Sequence, residues 1–119
     1  MKHLIDIMQL TPQEIMELID TACAIMEHPE QYAYKCDGKI LATLFFEPST
    51  RTRLSFESAM LSLGGKVLGV ASAESSSASK GETVADTVRV VSCYSDIIAM
   101  RHPKEVAPLV ASMHAQVPV

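Results

Sequence analysis

Ile40-Leu41-Ala42-Thr43-Leu44-Phe45-Phe46 is a short apolar run, and Glu47-Pro48-Ser49-Thr50-Arg51-Thr52-Arg53 follows it directly. The run carries no charge and includes β-branched and aromatic residues, as expected of a strand buried on both faces of a parallel sheet. The polar segment then opens a helix expected over 51–63, which Gly64-Gly65 ends. A buried strand turning into a helix through hydroxyl and guanidinium side chains is the unit from which the rest of the chain can be read.

On the N-terminal side, Thr11-Pro12-Gln13-Glu14 has the form of a helix start: Thr11 caps, Pro12 suits the first helical position and Glu14 completes a capping box. Ile15, Leu18, Ile19, Ala22, Ile25 and Met26 recur at helical spacing until His28-Pro29 ends the helix, and a polar stretch leads to Lys39. On the C-terminal side, residues 66–71 read as a strand and 72–80 as a loop with five serines in nine positions. Residues 82–94 read as a helix with Val84, Val88 and Val91 on one face, and 96–100 as a strand. Pro103 is expected to open a further helix to about Met113, and Val117-Pro118-Val119 to begin another strand. Strand and helix alternate, which predicts an α/β domain: an open parallel sheet with helices on both faces.

The 119 residues suffice for one domain and not for two. A net charge of -4 provides no broad basic surface and argues against nucleic acid as a partner. Asp6 interrupts the first apolar residues, so no signal peptide is expected, and no uncharged run approaches the roughly 20 residues of a membrane span. The expected location is the cytoplasm. Cys23, Cys36 and Cys93 lack C-x-x-C spacing and read as reduced, buried or half-buried thiols.

Ligands of open α/β sheets bind at the carboxyl ends of the strands, and three strand ends here carry polar clusters. At 47–53, a helix start offers free N–H groups and the positive end of a dipole to an anion. Ser49, Thr50 and Thr52 add hydroxyls, and Arg51 adds a fork that grips two phosphate oxygens. Arg53 lies about 200° further round a helix than Arg51, which leaves Arg51 for the ligand and Arg53 for a structural ion pair. Residue types alone leave open a plain Ser/Thr cap with solvated arginines. In the second cluster, Ser76 and Lys80 can donate to a phosphate, although a loop lysine beside serines is ordinarily just solvated. The third is Met100-Arg101-His102-Pro103, where His102 can be a ligand, an acid/base or a cap, with the structural role favoured. Of four arginines in the chain, only Arg89 lies away from these strand ends, on a helix surface.

No G-x-x-x-x-G-K-[ST] or G-x-G-x-x-G is present, so neither a P-loop nor a dinucleotide site is supported. His3, His28 and His114 have no partners at metal spacing, and no metal site is expected. Glu82 and Asp86 have no second carboxylate pair with which to do acid/base work on a glycosidic bond.

Phe45-Phe46-Glu47-Pro48-Ser49-Thr50-Arg51-Thr52-Arg53-Leu54-Ser55-Phe56-Glu57 resembles the signature of the aspartate and ornithine carbamoyltransferases. Ser76 to Lys80-Gly81-Glu82-Thr83 and Met100-Arg101-His102-Pro103 are similar to the aspartate branch, with the ornithine branch as the runner-up. The resemblance runs from Thr11 to Val119 and implies that residues 1–119 are a carbamoyl-phosphate-binding domain, truncated at its C-terminal end and without the aspartate-binding domain. It implies carbamoyl transfer from carbamoyl phosphate to L-aspartate, on the route to pyrimidines, with no metal or organic cofactor. Ser49, Thr50, Arg51 and Thr52 hold the phosphate by this resemblance, and Thr52 and Arg101 polarise the carbamoyl carbonyl. Ser76 and Lys80 reach a neighbour's active site in a homotrimer, and Glu47 helps to hold two domains closed. In the family a His-Pro-Thr-Gln segment past the Val-Pro-Val strand completes the carbamoyl site, and a second domain supplies the aspartate-binding arginines. The implied partners are carbamoyl phosphate, L-aspartate in a complete enzyme and, in some assemblies, a regulatory chain. Without the second domain, the chain is expected to bind carbamoyl phosphate but to be inactive alone. The competing expectation from another class is a non-catalytic anion-binding or oligomerisation module built on the same domain.

Overall fold

The computed structural model describes residues 2–70 and 83–119. The helix read from the Thr11 capping box is α1, Pro12–Glu27. Thr11 Oγ1 accepts from the Glu14 N–H, and Glu14 accepts from the Thr11 N–H. The central apolar run is β1, Ile40–Phe45, whose residues 41–45 are all buried. Around it come α2, Thr50–Ser62; β2, Lys66–Val70; α3, Val84–Ser92; β3, Ile97–Arg101; and α4, Ala107–His114. Two short 3-10 turns, Ile7–Gln9 and Pro29–Gln31, flank α1.

The sheet is parallel throughout with β1 in the centre, in the order β2-β1-β3. Alternation along β1 sends Ala42 and Leu44, with Phe46 just beyond, into a core shared with Val88 of α3, Ile98 of β3 and Ala111 of α4. Val84 and Val91 pack against the same core, as their spacing predicts. The opposite face of β1, with Thr43 and Phe45, lies under α2, where the Phe45 ring meets Phe56 edge-on at 6.5 Å. Helices therefore cover both faces. Each fully buried Leu or Phe here contributes about 1.5–3 kcal/mol relative to exposure, so β1 is the anchor of the domain.

Three expectations need correction. The last helix does not open at Pro103: residues 103–106 form turns and α4 begins at Ala107. A helix starting at Pro103 would carry Pro108 in its second turn, against the Lys104 carbonyl, whereas in α4 Pro108 occupies the permitted first turn. Val117-Pro118-Val119 lies beside β3, with Ile98 N–H donating to Pro118 O at 2.8 Å, but forms no strand. Pro118 has no N–H with which to extend a ladder. Cys36 is half-buried as expected, but Cys23 and Cys93 are exposed. The usual burial of cysteine yields at Cys23 to the exposed setting of α1, which buries none of its residues; Cys93 is the C-cap residue of α3, just past the buried Ser92. The expected serine-rich loop at 72–80 lies outside the described residues.

Candidate functional site

All strands run in the same direction, so β1 and β3 end on one edge of the sheet. The register pairs Phe45 with Arg101, and the Phe46 N–H donates to Arg101 O at 2.8 Å. Paired residues of adjacent parallel strands face the same way, so Arg101 emerges on the α2 side of the sheet. There its Nε donates to Glu47 Oε1 at 2.6 Å and its Nη1 to Ser49 Oγ at 2.7 Å.

Ser49 occupies the N-cap position of α2, but its side chain makes no capping hydrogen bond. At α1 and α3, by contrast, Thr11 and Thr83 accept from the first turn. The first N–H groups of a helix have no intrahelical partner, so among the described residues α2 presents opening amides that Ser49 does not cap, with the favourable end of its dipole. Ser49, Thr50, Arg51, Thr52, Leu54 and Arg101 line an open cleft of about 720 Å³ at this point. Arg51 is exposed and Thr52 half-buried. The cleft thus brings together Ser49, Thr50, Arg51 and Thr52, the residues that the sequence offers to a phosphate, along with Arg101. Glu47 stands beside it, tied to Arg101. Ser76 and Lys80 lie outside the described residues.

Arg53 does not line the cleft. It takes the structural pairing expected of it, with Nη1 at 3.3 Å from Glu57 Oε1. His102 plays the structural part: its Nδ1 accepts from the Lys104 N–H at 3.0 Å, and its ring lies tilted on Phe46 at 5.2 Å. Burial first, then the Lys104 charge, holds its pKa below the ordinary histidine value, with Glu47 pulling the other way. Arg89, placed on a helix surface, meets Asp86 and His114 there. Glu57 also accepts from Thr43 Oγ1 at 2.8 Å, a contact the sequence does not reveal, although the four-residue step from Arg53 to Glu57 is a readable signal.

Another cleft, of about 740 Å³, is lined by Lys2, His3, Asp6 and Gln9 together with Glu105, Leu109 and Ser112, so it mixes charges of both signs. Among the described residues, no helix is long and apolar enough to cross a membrane.

A parallel α/β domain whose strand ends gather a helix start that Ser49 leaves uncapped, three hydroxyls and two guanidiniums has the donors that an anion-binding domain needs. The sequence model for the carbamoyl-P binding domain of aspartate/ornithine carbamoyltransferases matches residues 2–119, and the chain belongs to that family. It is 61% identical over its whole length to the aspartate carbamoyltransferase catalytic subunit of Lachnoclostridium phytofermentans, and it spans 39% of that protein. It superposes on the catalytic subunit of M. jannaschii aspartate transcarbamoylase with a TM-score of 0.91 and 50% identity, over 99% of this chain and 40% of that one. The Trypanosoma cruzi aspartate transcarbamoylase, solved with carbamoyl phosphate, aligns with a TM-score of 0.90 and 39% identity over 98% of this chain and 38% of its own. The chain therefore spans about two fifths of the length of its relatives.

Proposed function

We propose that the parent protein transfers a carbamoyl group from carbamoyl phosphate to the amine of L-aspartate, and that this chain supplies the carbamoyl-phosphate half. The products are N-carbamoyl-L-aspartate and phosphate. The observation that carries the reading is the meeting of Ser49, Thr50, Arg51 and Thr52 with Arg101 around one cleft. The α2 amides, the hydroxyls and Arg51 hold the phosphate. Thr52 and Arg101 face the carbamoyl oxygen, where negative charge grows as the amine attacks. Donors fixed in place before the reaction stabilise that oxyanion without reorganising, and holding both substrates together supplies much of the remaining rate. The amine loses a proton as the new C–N bond forms, and the C–O bond to phosphate breaks.

The aspartate-binding groups belong, in this proposal, to parts of the parent protein outside residues 1–119, so the chain alone binds carbamoyl phosphate without turning over. Ser76 and Lys80 complete the site of the next subunit in a cytoplasmic homotrimer, to which a regulatory chain can attach. Glu47, released from Arg101, serves domain closure. The proposal includes no metal or organic cofactor. Aspartate is favoured over ornithine as acceptor by Met100-Arg101-His102-Pro103 and by the names of the relatives above. No observation favours a non-catalytic module.

The test is a carbamoyl-transfer assay on the full-length parent with labelled carbamoyl phosphate and aspartate or ornithine as acceptor. Label is expected in carbamoyl-aspartate alone. Preference for ornithine, or transfer to neither, overturns the proposal.

A further inference from the structure

Glu57 lies on α2 two turns behind the anion cleft, and its carboxylate is unusually constrained for a helix-surface residue. Its side chain is 17% exposed. Oε1 accepts from Thr43 Oγ1 at 2.8 Å, and Thr43 is fully buried in β1. Arg53 Nη1 approaches both carboxylate oxygens, at 3.3 and 3.5 Å. Gly69 of β2, the register partner of Thr43, lies directly beneath: a Cβ there would come within 2.8 Å of Glu57 Oε1 and 2.9 Å of Thr43 Oγ1. The sheet has left room for this carboxylate, and a buried hydroxyl of the central strand is committed to it.

We propose that Glu57 is a positioning residue for the anion site. It pins α2 to β1 through Thr43 and holds the first turn through Arg53, so that the uncapped amides and Arg51 meet the ligand at a fixed distance from Arg101. This rests on the anion-binding reading of the α2 start. The route is short: the Arg53 N–H donates to Ser49 O at 3.0 Å, closing the turn that contains Thr50, Arg51 and Thr52. A helix free to roll or slide on the sheet would move Arg51 relative to Arg101, which belongs to a different strand. The pair also keeps the Arg53 charge out of the cleft, leaving Arg51 and Arg101 as its cations among the described residues. Thr43 without an acceptor would be a buried unpaired hydroxyl, so the tether is costly to break.

Thr43→Val isolates the effect, because it is nearly isosteric and changes no charge. Gly69→Ala displaces the carboxylate from the other side. Two readouts are taken on the chain far below its melting temperature: inorganic phosphate affinity by calorimetry, and amide hydrogen exchange at Arg53. Both variants are expected to bind phosphate about three- to tenfold more weakly than wild type. Both should exchange the Arg53 amide faster while β1 and β3 amides keep their protection. A merely stabilising role would lower the melting temperature and leave both readouts unchanged; that result overturns the proposal. Arg51→Ala is the control that separates the two readings. Failure of wild type to bind phosphate, or binding indifferent to Arg51, strikes down the anion site itself. The Arg53 amide then decides the tether by itself, since unchanged exchange in Thr43→Val rejects it with no ligand present.

Discussion

Arg101 Nη1 lies 2.7 Å from Ser49 Oγ, a hydrogen bond between residues 52 apart in sequence. It commits the hydroxyl at the α2 N-cap to an arginine at the end of β3 instead of to the helix, so Ser49 does not cap the first amides of α2.

Replacing Arg51 with alanine removes the exposed fork at that start. Phosphate affinity of the chain is expected to fall about tenfold, the loss typical of one charge-assisted hydrogen bond. Calorimetric titration of both proteins at one ionic strength measures it, and superimposable isotherms would remove Arg51 from the site.

Glu47 places a carboxylate next to the cleft and occupies Arg101 Nε at 2.6 Å. Both effects oppose an incoming anion. Glu47→Gln should therefore raise phosphate affinity of the isolated chain by about two- to fivefold, most clearly at low salt. Arg101→Met should lower it. A weaker-binding Glu47→Gln protein would mean that the carboxylate holds Arg101 in its binding pose.

His102 makes stability depend on mildly acidic pH. Its folded pKa is lowered, chiefly by burial and next by Lys104, and its Nδ1 must stay unprotonated to accept the Lys104 N–H. A depressed pKa means that the unfolded chain binds the proton more readily. The contribution is thus complete above the ordinary histidine value, about 6.5, and is lost as pH falls through the lower folded value. Melting temperature is expected to drop from pH 7.5 to pH 5 more steeply in wild type than in His102→Asn. Parallel curves would exclude His102 as the source.

Gly64 ends the α2 turn at φ +87°, and a Cβ there would lie 2.5 Å from Ala33 O. Alanine is both strained at that angle and blocked by backbone. Gly64→Ala should destabilise the chain by at least about 1–3 kcal/mol, read as a lower denaturant midpoint at unchanged slope. An unshifted midpoint would show that the turn relaxes freely.

The shared site of the proposed trimer has a combinatorial signature in the complete enzyme. Arg51→Ala and Lys80→Ala trimers should each be nearly inactive. Reassembled from equal amounts, random hybrids should regain about one quarter of their sites, because a site needs an intact Arg51 from one chain and an intact Lys80 from the next. Hybrids no more active than their parents, despite proven subunit exchange, would place both residues in one chain.

The sheet was legible because β1 is buried on both faces and reads as one unbroken apolar run, whichever helices cover it. The α1 periodicity was equally clear, yet Leu18, Ile19 and Met26 are exposed. Spacing shows which residues share a face and says nothing about what covers it. That Ser49 through Thr52 would share one cleft was readable because a local motif gathers them. That Arg101 would reach Ser49 depends on the register of β1 with β3, which sequence spacing does not encode. The Pro103 helix failed because two prolines five residues apart each suit a first turn, and only Pro108 takes that position.

The Leu4 N–H donates to Val119 O at 2.8 Å, and the Val119 N–H reaches His3 Nδ1 across a separation of 116 residues. During synthesis at about 5–20 residues per second, the first of these groups waits roughly 6 to 23 s for the last to be added. All three strands, β1, β2 and β3, lie between these two ends of the seam, so each is synthesised before the seam can close. The seam therefore forms after the strands it flanks have been made, and until it closes the outer edge of β3 stays open to whatever else is growing nearby.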